Sequence, residues 1–120
     1  MKKILVVDDQ ADVREIICEF LNLRGYDTVS AENGQTALKK FNSDMPDAAI
    51  IDLEMPVMNG IQFTKKIIAD LPDFPIIVIS GFVHKHSPEF LQELGIKKVL
   101  AKPLDLKNLY SVVEDVLLSA

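Results

Sequence analysis

Apolar residues are distributed along the chain in two alternating rhythms. Lys3-Ile4-Leu5-Val6-Val7, Ala48-Ala49-Ile50-Ile51 and Ile76-Ile77-Val78-Ile79 are short runs, apolar almost throughout, that end at polar or turn residues. Runs of this length read as strands buried on both faces of a parallel sheet. Between the runs, apolar residues recur at helical spacing. Val13, Ile16, Ile17, Phe20 and Leu21 fall at i, i+3, i+4, i+7 and i+8, which predicts an amphipathic helix ending near Gly25. Tyr26 to Ala31 is short and β-rich, and Asn33-Gly34 starts a second helix with Ala37, Leu38 and Phe41 facing inward. A third helix follows Asn59-Gly60 and uses Phe63, Ile67, Ile68 and Leu71 before Leu71-Pro72-Asp73-Phe74-Pro75 stops it. Ser87-Pro88 opens a weaker fourth helix with Phe90, Leu91 and Leu94 inward and Gly95 as its stop. Lys97 to Ala101 makes a fifth strand, and Asp105 caps a last helix carrying Leu106, Leu109, Val113, Val116 and Leu117. Strands that alternate with helices at this spacing predict βα units, right-handed crossovers and a parallel α/β sheet.

The polar residues that end the strands change the picture from fold to chemistry. The first strand runs into Asp8-Asp9, the third into Asp52, the fourth into Ser80-Gly81 and the fifth into Lys102-Pro103. Open α/β sheets bind ligands at that edge. Any one of these residues alone reads as an ordinary loop residue, but together they form a constellation. Clustered carboxylates repel and raise one another's pKa unless a cation offsets their charge. Mg²⁺ suits such a site, since it prefers hard oxygen ligands and meets a few carboxylates plus a phosphate. A carboxylate beside Mg²⁺, with an ammonium and a hydroxyl to receive phosphoryl oxygens, is equipped for phosphoryl transfer onto aspartate. Asp52 stands alone at its strand end and is the expected acceptor, which leaves Asp8 and Asp9 as the natural metal pair.

At 120 residues the chain has the size of one domain, expected to span 1–120, and no internal repeat or linker interrupts it. Its 48% hydrophobic and 26% charged residues are those of an ordinary globular domain. The net charge of -5 argues against binding nucleic acid, and Lys39-Lys40 and Lys65-Lys66 read as solvated helix faces. No apolar run approaches the roughly 20 residues of a membrane span. The Met-Lys-Lys start leads directly into a strand without an export signal, and the single cysteine, Cys18, cannot form an internal disulfide, so the expected compartment is the cytoplasm.

The series Val7-Asp8-Asp9, Ile51-Asp52-Leu53-Glu54-Met55-Pro56-Val57-Met58-Asn59-Gly60, Ser80-Gly81 and Lys102-Pro103 resembles the receiver domain of two-component response regulators from Lys3 to the last helix. The resemblance implies a flavodoxin-like (βα)5 three-layer sandwich whose five-stranded parallel sheet has the order 2-1-3-4-5. It further implies phosphorylation of Asp52 by a histidine kinase or a histidine phosphotransfer protein, with output through contacts with another protein. Asp9, Asp52 and the backbone carbonyl of Glu54 would then ligate Mg²⁺, and Asp8 would reach it mainly through water. Ser80 would hydrogen-bond the phosphoryl group and Lys102 would pair with it. The Lys102-Pro103 peptide is expected cis, and Pro56 and Gly60 would shape the loop after the acceptor. Two positions depart from the commonest pattern: Val99 stands where the family often has a switching Tyr or Phe, and Phe82 where a smaller side chain is common. With valine there, the signal is expected to leave through the backbone from Gly81 to Pro88.

Other readings fit less well. A phosphatase of the haloacid-dehalogenase type would carry Asp-x-Asp after one strand, whereas Asp8 and Asp9 are adjacent and Glu54 stands two residues after Asp52. The chain is therefore expected to catalyse only its own Mg²⁺-dependent phosphorylation and dephosphorylation. A flavodoxin would not place an acidic first loop against the FMN phosphate. His84 and His86 lack a third metal ligand nearby in the sequence, Cys18 reads as a partly packed thiol, and Met55 and Met58 as packing residues. Ser80 closes a strand and Gly34, Gly60 and Gly95 are read as turn or cap residues, with no Gly-x-Gly-x-x-Gly fingerprint for a dinucleotide.

Overall fold

The computed structural model describes residues 2–53, 55, 58–81 and 87–119. Strands and helices alternate as β1 (Lys3–Val7), α1 (Ala11–Leu23), β2 (Asp27–Ala31), α2 (Gly34–Asp44), β3 (Ala48–Asp52), α3 (Gly60–Asp70), β4 (Ile76–Ser80), α4 (Pro88–Glu93), β5 (Lys98–Ala101) and α5 (Leu106–Ser119). All strand pairs are parallel, and the sheet order is β2-β1-β3-β4-β5. This is the flavodoxin-like three-layer α/β sandwich that the motifs imply.

The unbroken apolar runs are explained by the two cores they serve. Side chains alternate across a strand. Leu5, Val7, Ala49, Ile51, Ile76 and Val78 accordingly face one core with Ala37, Phe63, Ile67 and Leu91 from α2, α3 and α4. Ile4, Val6, Ala48, Ile50, Ile77 and Ile79 face the other with Ile17, Leu21, Leu109 and Val113 from α1 and α5. All five residues of β3 and all five of β4 are buried, while β5 at the sheet edge is mostly exposed. No helix among the described residues is long and apolar enough to cross a membrane.

Three expected inward residues lie outside the core. Ile16 is 54% exposed, Leu71 45% and Phe90 38%. Leu71 is the C-cap of α3, beyond its last helical residue. Ile16 and Phe90 each sit one residue before a buried position of their helix, Ile17 or Leu91, and so about 100° around the axis, past the rim of the apolar face. Spacing alone accepted them because i, i+3 and i+4 partners exist on both sides.

Helix starts follow the expected chemistry. Asn33 caps α2 through the Thr36 N–H, Ser87 caps α4 through the Phe90 N–H, and Asp105 accepts from the Lys107 and Asn108 N–H groups at the start of α5. Asn59 and Gln62 form a reciprocal capping box on α3. Gln10, at the start of α1, makes no side-chain cap. Gly34 and Gly60 follow the capping asparagines as first residues of their helices, and both are in close contact with backbone. A Cβ on Gly34 would stand 2.4 Å from the Met58 carbonyl oxygen, and one on Gly60 2.7 Å from that of Asp52. With the Gly60 N–H donating to the Leu53 carbonyl at 3.1 Å, α3 starts directly against the end of β3.

Candidate functional site

Strands β1 and β3 are neighbours with Val7 beside Ile51, so their next residues, Asp8 and Asp52, emerge side by side. One carboxylate oxygen from each of Asp8, Asp9 and Asp52 lies within 4.8 Å of the others. Asp8 and Asp52 are buried and Asp9 is exposed, which gives the cluster one open side. Asp8 is fixed by its own surroundings. Its Oδ1 accepts the Gln10 N–H at 2.9 Å, and its backbone carbonyl accepts from Arg14 Nη1 at 2.7 Å.

The second half of the site arrives through β4 and β5. Ser80 pairs in register with Ala101, and the Lys102 N–H donates to the Ser80 carbonyl at 2.9 Å, which holds the two residues on adjacent strand ends. The Lys102-Pro103 peptide is cis, as the resemblance implies. From there Lys102 Nζ reaches between the carboxylates, 3.1 Å from Asp8 Oδ2 and 3.2 Å from Asp52 Oδ2. It also donates to Gln10 Oε1 at 3.0 Å. Partial burial, the largest single influence on this amine, favours its neutral form, but the Asp8 and Asp52 carboxylates beside it together outweigh that influence. The lysine pKa is raised, and the ammonium stays charged at neutral pH.

Three carboxylates meet one ammonium in this cluster. Asp8 Oδ2 is buried and meets Lys102 as an ion pair without a well-aligned hydrogen bond, so it retains acceptor capacity aimed into the cluster. Hard oxygen donors, excess negative charge and an under-satisfied buried carboxylate fit a divalent cation such as Mg²⁺.

The structure brings together Asp8, Asp9, Asp52 and Lys102, with Ser80 buried at the adjacent strand end. Glu54, Pro56, Phe82, His84 and His86 lie outside the described residues. Met55 is buried and Met58 packs against the same core, as expected of packing residues. Burial pushes the Cys18 thiol pKa up despite a hydrogen bond with Thr28 and the charges of Arg14 and Lys40, which suits a packed thiol rather than a reactive thiolate. Two contributors escaped the sequence reading: Arg14 on the Asp8 carbonyl and Gln10 on Lys102. Gln10 left a trace, because glutamine is an unusual choice at a helix N-cap.

A family model described as the response regulator receiver domain matches residues 4–114. The chain belongs to this family. As a receiver domain it is a phosphorylation-activated switch of two-component signalling. Sporulation initiation phosphotransferase F of Bacillus subtilis is 31% identical over 94% of this chain and 91% of its own length. A probable transcriptional regulator, ycf27 of Guillardia theta, is 34% identical over 97% of this chain, which spans only 45% of that protein. Among solved structures, the response regulator TrrA of Thermotoga maritima, in complex with Mg²⁺-BeF, superposes with a TM-score of 0.87 at 34% identity and covers 97% of this receiver domain and 99% of its own chain.

Proposed function

We propose that Asp52 is the phosphoryl acceptor of this receiver domain, and that Asp8, Asp9, Asp52 and the Glu54 backbone carbonyl hold Mg²⁺ beside it. The observation that carries this reading is the convergence of Asp8, Asp9 and Asp52 around one point with the Lys102 ammonium 3.2 Å from Asp52 Oδ2. The complex of TrrA with Mg²⁺-BeF supports the same assignment by similarity. Bound Mg²⁺ would neutralise charge on the transferring phosphoryl oxygens.

The donor is a phosphohistidine on a histidine kinase or a phosphotransfer protein. An Asp52 carboxylate oxygen attacks phosphorus, the P–N bond breaks, and the imidazole leaves with the electron pair and takes up a proton. Lys102 pairs with a phosphoryl oxygen and the Ser80 hydroxyl donates to another. Water later attacks the acyl phosphate, and the P–O bond to Asp52 breaks to return the carboxylate and inorganic phosphate. Residues 1–120 act as one receiver domain in the cytoplasm, with output through contacts with a partner protein and no further turnover activity.

Incubation with acetyl phosphate and Mg²⁺ should add one phosphoryl group per chain by intact-mass measurement, and Asp52→Asn should add none. Labelling of Asp52→Asn at the wild-type rate, or labelling that survives complete removal of divalent ions, would overturn the assignment.

A further inference from the structure

Gln10 occupies the N-cap of α1 with extended backbone angles, φ −86° and ψ 110°, yet its side chain makes no capping bond. Asn33, Asn59 and Ser87 at the corresponding positions of α2, α3 and α4 all cap their helices. The Gln10 amide instead accepts a hydrogen bond from Lys102 Nζ at 3.0 Å, across 92 positions of sequence. Its backbone is held at both ends: the N–H donates to Asp8 Oδ1 at 2.9 Å, and the carbonyl accepts the Arg14 N–H at 3.0 Å. The side chain therefore reaches toward Lys102 from a fixed point.

We propose that Gln10 is a positioning residue for Lys102, holding the ammonium beside Asp52 when Asp8 and Asp52 turn their charge toward a metal ion. This deepens the reading of Lys102 as the partner of the phosphoryl group and rests on it. An ammonium has three N–H donors on a flexible four-carbon stem, and it is located only as well as its acceptors locate it. Lys102 has three partners here: it donates to Asp52 Oδ2 and Gln10 Oε1 and forms an ion pair with Asp8 Oδ2. Two of them are carboxylates of the cation cluster, and their pull on Lys102 weakens once a divalent ion offsets their charge. Gln10 is the acceptor outside that set. Being neutral, it retains the ammonium without adding a fourth negative charge.

The test uses the full chain and three variants. Without divalent ions, the Lys102 ammonium protons should exchange slowly with solvent by ¹⁵N NMR of the side chain. Gln10→Ala should speed that exchange about fivefold, and at saturating Mg²⁺ should slow phosphorylation by acetyl phosphate by a similar factor. Its Mg²⁺ affinity should stay within about twofold of wild type, since no metal ligand is lost. Gln10→Glu should restore slow exchange while tightening Mg²⁺. Gln10→Ser separates positioning from folding, because serine can cap α1 but cannot reach Lys102. It should melt higher than Gln10→Ala and still show fast exchange and slow phosphorylation. Wild-type exchange in Gln10→Ala, or a wild-type phosphorylation rate in Gln10→Ser, would overturn the proposal. The metal-free exchange measurement decides the Gln10–Lys102 contact even if Asp52 is not the acceptor.

Discussion

The two halves of the strand-end site are gripped by the fold to different degrees. Asp8 and Asp52 continue β1 and β3, central strands whose residues from Ile4 to Val7 and Ala48 to Asp52 are buried. Helix α3 starts hard against the end of β3 through Gly60. The other side is bounded by β5, an edge strand of 4 residues with Val99 38% exposed, and by α4, a helix of 6 residues. The groove between α4 and β5 is lined by Leu91, Gln92, Gly95 and Ile96 through Val99. The difference shows where each task can be performed. Like charges brought together in a buried cluster need a framework that does not relax, whereas a segment that must respond to phosphorylation has to come from the less stable end of the structure.

The sharpest way to break this comparison is to truncate one residue on each side. Ile51→Ala should cost about 3 kcal/mol, because a fully buried side chain is lost between β3 and the second and third helices. Val99→Ala should cost less than about 1 kcal/mol at the exposed edge. Urea denaturation of both variants checks the contrast, and equal losses would mean that the edge is as firmly held as the centre.

The metal site offers a smaller effect. Asp9→Ala should weaken Mg²⁺ binding roughly tenfold through loss of a carboxylate ligand, while Ser80→Ala should change it less than about twofold. Titration of the unphosphorylated protein measures both. Equal affinities would remove Asp9 from direct coordination and shift the cation toward Asp8 and Asp52.

The subtlest measurement concerns signal output. Hydrogen exchange with and without Mg²⁺ and BeF₃⁻ should change protection most between Ser87 and Gly95, with smaller changes in α2 and α3. Valine at position 99 has a stiff χ1 and few alternative rotamers, so the response is expected to run through backbone rather than through a swinging ring. A response concentrated in α2 or α3, with α4 unaffected, would reverse the assignment of the adaptable side.

Most of the architecture is legible in the sequence. The apolar runs at Ile4–Val7, Ala48–Ile51 and Ile76–Ile79 marked strands because only a sheet covered on both faces needs such continuity. Ile16, Leu71 and Phe90 lie outside the core because spacing defines a helical stripe but not its rim or its end, which are set by how far the neighbouring layer extends. The acidic pair, the lone Asp52 and the Lys-Pro step were visible as strand-end residues, and their shared edge followed from parallel topology.

The sequence by itself determined the order of elements, the two-faced burial of the central strands and the set of charged residues at the carboxyl edge, because period and strand polarity are local properties of the chain. Only the tertiary structure decided which acceptors Lys102 would find, that Gly34 and Gly60 are places of close backbone approach, and that Gln10 would abandon its helix for a lysine 92 positions away. Those outcomes depend on distances across β1, β3 and β5, and such distances exist only once the strands have paired in register.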